Sequence, residues 1–80
     1  MLYTIYEDSS GTLFRVTSGI SDGNVWMTVR IPVRSHGSTH RVKSPRLPLR
    51  DTREEAQADL DSYAAEKKFR RIGTVGMGHE

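Results

Sequence analysis

The sequence predicts an α+β domain: an antiparallel sheet of three to four strands packed on one C-terminal α-helix, in the order strand, strand, strand, an optional short fourth strand, helix. Three observations carry this reading: strict alternation of apolar and other residues over 24–33, two β-rich segments separated by turn residues before it, and an N-capped amphipathic segment starting at Thr52. The chain has 80 residues, enough for one domain. A domain of this size buries only about 60 % of its unfolded surface, so one sheet face covered by one helix is the natural core. Residues 1–72 are expected to form that single domain and residues 73–80, with three glycines, a flexible tail.

The elements follow in order. Residues 2–7 are rich in Tyr, Thr and Ile, and Asp8-Ser9-Ser10-Gly11 supplies turn chemistry before a second strand over 12–18, with Phe14 and Val16 on one side and Arg15 on the other. After a turn at 19–23, Val25, Met27, Val29, Ile31 and Val33 alternate with Asn24, Trp26, Thr28, Arg30 and Pro32. Period two predicts a half-buried strand, with the aliphatic set on the inner face and Trp26 and Arg30 on the outer one. A hairpin loop over 35–38 would set Arg34 opposite Thr39, Ile31 opposite Val42 and Arg30 opposite Lys43. Pro32 lacks an N–H for the ladder and demands a bulge or an unpaired edge.

The two prolines of Ser44-Pro45-Arg46-Leu47-Pro48-Leu49 exclude a helix and predict an extended connector that lays Leu47 and Leu49 on the core. Thr52-Arg53-Glu54-Glu55 fits a capping box with Thr52 as N-cap, and carboxylates in the first turn suit the helix dipole. Ala56, Leu60, Tyr63 and Ala64 then share one helical face, with the stem of Lys67 along it. The helix is expected to end near Phe69, letting Phe69 and Ile72 fold back on the core.

Composition narrows the function. There is no cysteine, which removes disulfides and thiolate chemistry and fits a reducing compartment. The first residues lack a basic segment followed by a long apolar run, and no apolar stretch approaches the roughly 20 residues of a membrane span, so the expected location is cytoplasmic. No phosphate-cradling glycine loop, serine elbow or paired His and Glu on one helical turn is present. His36 and His40 flank a turn without a third strong ligand and read as solvated histidines. Glu54, Glu55, Asp59 and Asp61 read as dipole complements and surface charge. The expectation is a non-enzymatic protein with no cofactor and no metal.

Charge distribution is the one unusual feature. The net charge is +2, yet no carboxylate occurs between Asp22 and Asp51, a stretch holding Arg30, Arg34, Arg41, Lys43, Arg46 and Arg50. On the predicted register Arg15, Trp26, Arg30, Arg41 and Lys43 share the face no helix covers, and Arg30 lies against Lys43 as a like-charge pair. Cations around an indole can neutralise phosphates while the ring stacks on a base. The competing reading packs Trp26 against arginine stems or buries it in a second copy of the domain.

Strands followed by a capped helix reading Thr52-Arg53-Glu54-Glu55-Ala56 resemble, in architecture, the three-stranded-sheet-plus-helix DNA-binding modules: the arm-binding domains of tyrosine recombinases and the AP2 domain of plants. The resemblance covers residues 12–69. It implies a sheet that enters the major groove, with Arg15, Trp26, Arg30 and Arg41 as the contacting residues. In size and lack of catalytic features the chain is also similar to small phage and mobile-element proteins, including anti-CRISPR and other anti-defence inhibitors. The leading expectation is a binding protein of that type engaging DNA or RNA through Arg15, Trp26, Arg30, Arg34, Arg41 and Lys43. The alternatives are an inhibitor or adaptor that uses the same face to occlude a host protein complex, and a homodimer that pairs sheets over Trp26.

Overall fold

The computed structural model describes residues 2–18, 25–33 and 38–76. The predicted turn at 19–23, most of the loop at 35–38, Arg34 and residues 77–80 lie outside the described residues. The architecture is α+β as expected, with one more strand than the sequence announces. Strands β1 (Leu2–Glu7), β2 (Leu13–Ser18), β3 (Trp26–Ile31) and β4 (His40–Arg41) precede helix α1 (Arg53–Lys67), and β5 (Arg70–Gly76) follows it. All pairings are antiparallel in one five-stranded sheet ordered β4-β3-β2-β1-β5.

The turn between β1 and β2 follows from its residues. Asp8 Oδ1 accepts from the Ser10 hydroxyl and from the backbone N–H groups of Ser10 and Thr12, and Gly11 sits at φ +91°, where a side chain would be strained. Burial pushes the Asp8 carboxyl up, but these hydrogen bonds outweigh it and hold the group below the ordinary carboxylate range.

Helix α1 starts as the sequence predicts: the Thr52 hydroxyl accepts from the Glu55 N–H at 3.2 Å and donates to the Glu55 carboxylate at 3.0 Å. It stops at Lys68, which adopts the left-handed conformation at φ 61° while the Phe69 N–H donates to the Ala64 carbonyl. That reversal swings Phe69 back to stack on Phe14, with ring centroids 4.6 Å apart. Phe14, Val16, Leu47, Ala56 and Leu60 form the buried cluster, Leu47 and Leu60 being at most 1 % exposed. Leu47 thus lands on the core as expected, but Leu49 stays 46 % exposed and Ile72 42 % exposed.

Three expectations are corrected here. Residues 73–76 are not tail: they complete β5, which lies against β1 with Glu7 opposite Arg70 and Leu2 opposite Gly76. Their glycines masked the strand signal, which is carried by pairing with β1 rather than by intrinsic propensity. The second correction is the β3–β4 register. Val29 lies opposite Arg41 and Arg30 opposite His40, a displacement of three residues from the predicted pairing, and the ladder continues with the Val42 N–H donating to the Thr28 carbonyl at 3.0 Å. An odd displacement exchanges the faces, so Arg30 and Lys43 do not oppose each other.

The third correction is the orientation of β3 itself. Its register with β2 sets Phe14 opposite Arg30, Val16 opposite Thr28 and Ser18 opposite Trp26, and directly opposed residues share a face. Since Phe14 and Val16 point to the helix, so do Trp26 and Thr28, while Met27, Val29 and Ile31 point away from it.

Relieving the strained helix stop gives the first test. Lys68→Gly removes the left-handed penalty of a side-chain-bearing residue and should raise unfolding free energy by about 1 kcal/mol, read as a higher urea midpoint at unchanged slope. Leu60→Ala should lower it by about 2–5 kcal/mol.

Candidate binding face of the sheet

Both faces of this sheet carry apolar residues, so the helix decides which becomes the core and which stays open. Polar side chains fix the helix in place. The Tyr3 hydroxyl donates to Glu54 at 2.9 Å, the Tyr6 hydroxyl donates to Asp61 at 2.8 Å, and Gln57 Nε2 donates to Asp61 at 2.9 Å and to the Thr4 carbonyl at 3.3 Å. Strict alternation would send Tyr3 and Tyr6 to opposite sides. Both nevertheless reach helix carboxylates, and the pairing of β1 with β5 shifts register between Ile5 and Tyr6. Burial first, then the hydrogen bond and charge of Asp61, push the Tyr6 phenol up to about 12. The Glu54 carboxyl is held below its usual range by its own backbone N–H, then by the Tyr3 hydroxyl and by Arg53, against the opposing effect of burial.

Two cations of the acid-free stretch are spent on the helix. Arg50 makes a two-pronged pair with Asp59, Nε to Oδ2 at 2.7 Å and Nη2 to Oδ1 at 3.1 Å, and Asp59 raises the guanidinium pKa. The Arg50 backbone also exchanges both hydrogen bonds with Trp26, at 2.9 and 2.7 Å, stitching the connector to the start of β3. Arg46 pairs with Glu66 and lies over the Tyr63 ring. A stretch free of acids in sequence is therefore not free of them in space.

The six residues singled out from sequence separate. Trp26, the residue on which stacking depended, is half-buried on the helix side, packed against the core beneath the Arg53 guanidinium, which lies 5.3 Å from its ring and 4.0 Å from that of Tyr3. This corrects the assignment of Trp26 to the open face; its arginine neighbour comes from the helix, not the sheet. Arg30 is exposed but leaves β3 on the helix side with Trp26 and Thr28. Arg34 lies outside the described residues. Arg15 and Arg41 do come together, flanking Val29 from the two neighbouring strands on the open face. Lys43 is exposed and, following the core-facing Val42, belongs to the same side by alternation.

Around that row lies a shallow depression of about 460 Å³ lined by Arg15, Thr17, Met27, Val29, Thr39 and Arg41. Val29 is 3 % exposed although it points away from the helix, and it is flanked in register by Arg15 and Arg41. One row further along, Leu13 lies opposite Ile31. Met27, Val29, Ile31 and Leu13 are the residues that sequence reasoning assigned to the core or passed over. The available signal was Arg15: a strand that puts Arg15 on the open face puts Leu13 and Thr17 there as well.

Among the described residues no group of His, Cys, Asp or Glu is arranged to hold a metal ion, and no helix is long and apolar enough to cross a membrane. Comparison of the chain with models of known protein families, with curated proteins and with solved structures finds no match.

Two measurements check this geometry. The Tyr6 phenol is raised in the folded state from 10.0 to about 12, so its contribution is complete below pH 10 and is lost as pH rises toward 12. Burial, then the hydrogen bond to Glu54, also pushes the Tyr3 phenol up, so an absorbance titration should show Tyr6 among the late-ionising tyrosines. Tyr6→Phe should remove its share of the late absorbance change and flatten the loss of stability between pH 10 and about 12. Trp26 should emit to the blue of a solvated indole, and Trp26→Ala should cost about 2–4 kcal/mol in chemical denaturation. Emission typical of free tryptophan in the native protein contradicts the placement.

Proposed function

We propose that the chain is a non-enzymatic binding module whose open sheet face docks on a protein partner with acidic groups bordering an apolar patch. The observation that carries this is the row Arg15, Val29, Arg41: two guanidinium groups from separate strands around an aliphatic floor, beside Met27 and the Leu13–Ile31 pair. Arginine and methionine are enriched in protein interfaces while acids are depleted from their centres, and a fixed arginine fork recognises carboxylates in two-pronged fashion. The acids nearest to hand support a role other than catalysis. Asp8 holds a turn, Glu54, Asp59 and Asp61 hold the helix to the sheet and connector, and Glu55 caps. An occluding inhibitor or adaptor of the kind encoded by phages and mobile elements fits these features.

A second reading, a nucleic-acid interface, is favoured by one observation: Arg15 and Arg41 meet on the open face with no carboxylate among the residues lining the depression, and Lys43 follows on the same side by alternation. It loses the aromatic platform, because Trp26 faces the helix.

One set of experiments separates the two. Wild type and the Arg15→Glu/Arg41→Glu double variant are used for affinity capture from host lysate, with a Lys67→Glu/Lys68→Glu variant as charge control, and all three are titrated with DNA and RNA at two salt concentrations. The proposal expects one defined protein that binds wild type and the control but not the sheet variant, with purified-partner affinity reduced at least about 30-fold, in line with roughly 2 kcal/mol or more for truncating a central arginine contact. Nucleic-acid binding with a logarithmic salt slope of about −2 to −3, as three phosphate contacts would give, supports the second reading instead. Partner binding that survives the double reversal rejects this face.

A further inference from the structure

The two edges of the sheet are unlike. One ends in β4, two residues long, beside Pro32. The other ends in β5, seven residues long, which has β1 on its inner side and, among the described residues, no strand on its outer side. A strand so placed presents alternate N–H and C=O groups to whatever can pair with them, and short strands, proline or charges spread along the edge are the usual protections. The β4 edge has such protection. β5 contains no proline, and its charges, Arg70 and Arg71, are confined to its first two residues.

We infer that β5 pairs antiparallel with β5 of a second copy of this chain, about a two-fold axis through Gly73. That register uses the whole strand, setting Arg70 against Gly76, Arg71 against Val75 and Ile72 against Thr74 of the other copy. It is self-complementary in charge. The cations of the two copies fall at opposite ends of the interface, whereas a parallel arrangement would put Arg70 and Arg71 beside their own equivalents. Arg70 is already paired with Glu7 on β1, which removes part of its repulsion. At the centre, Gly73 meets its own equivalent with no side chain on either face, and a Cβ added there would meet nothing within 4 Å of its own chain. Ile72, 42 % exposed in the single chain, lies next to this axis.

The consequence reaches beyond the proposed function. A two-fold perpendicular to the sheet joins the two sheets edge to edge with both open faces on one side and both helices on the other. Two Arg15–Val29–Arg41 rows then face the same way, which favours a partner that offers its acidic patch twice.

Size-exclusion chromatography with light scattering, from micromolar to near-millimolar protein, tests the pairing. Wild type should approach twice the monomer mass. Because the space around Gly73 is open, Gly73→Lys and Gly73→Glu should fold with unchanged circular dichroism, yet each sets like charges across the axis and should weaken self-association roughly fivefold or more. An equimolar mixture of the two should restore the doubled mass through opposite charges. Wild type that stays monomeric over the whole range overturns the inference, as does a dimer indifferent to both substitutions or a mixture that behaves like its separate components.

Discussion

The pairing of β2 with β3 is the constraint on which the rest of the molecule depends. Phe14 opposite Arg30 and Val16 opposite Thr28 commit the two strands to a common face, and Phe69 stacked on Phe14 commits that face to the helix. Everything else takes its side from this. Trp26 is drawn under Arg53, Thr28 is buried at 2 % exposure, and Val29 with its two arginine neighbours is left on the opposite surface. A slip by one residue would exchange all of these positions at once, because the side-chain period of a strand is two.

The core that results is small, and polar groups complete it. Five residues make the buried cluster, and the helix is further held by Tyr3, Tyr6, Gln57 and Arg50 through hydrogen bonds to its carboxylates and to the sheet backbone. Hydrogen bonds to a charged acceptor contribute more than neutral ones, about 1.5–3 kcal/mol against 0.5–1.5, though exposure reduces this at the surface. The acids of α1 thus serve two purposes. Those of the first turn complement the helix dipole and cap it, and Glu54, Asp59 and Asp61 anchor it to the sheet and the connector.

That use of the helix acids shapes the open face. With Asp59 and Glu66 occupied by Arg50 and Arg46, those cations are drawn to the helix side, while Arg15 and Arg41, with Lys43 following, stay on the open side. A surface of two arginines around an aliphatic floor is chemically different from the indole-centred cationic surface that the linear sequence advertises. The first favours carboxylates and apolar groups together, and the second would have favoured stacked bases.

The sequence by itself determined the class of fold, the start and stop of the helix, the first turn, and the inward side of Phe14, Val16, Ala56, Leu60 and Ala64. Each of these is a local matter, written in a capping residue, a turn residue or a period. Tertiary structure alone decided which face of β3 is inside, the β3–β4 register, the recruitment of 73–76 as an edge strand, and the dispersal of the cations. The strand at 73–76 was hidden by its glycines and exists through its pairing with β1, whereas the face of β3 was illegible because β3 is apolar on both sides, with Met27, Val29 and Ile31 on one and Trp26 on the other, so periodicity reports that it alternates but not which side is covered. That choice is made by residues far away in sequence, Phe69, Arg53 and Arg50, whose contacts exist only once the chain has closed.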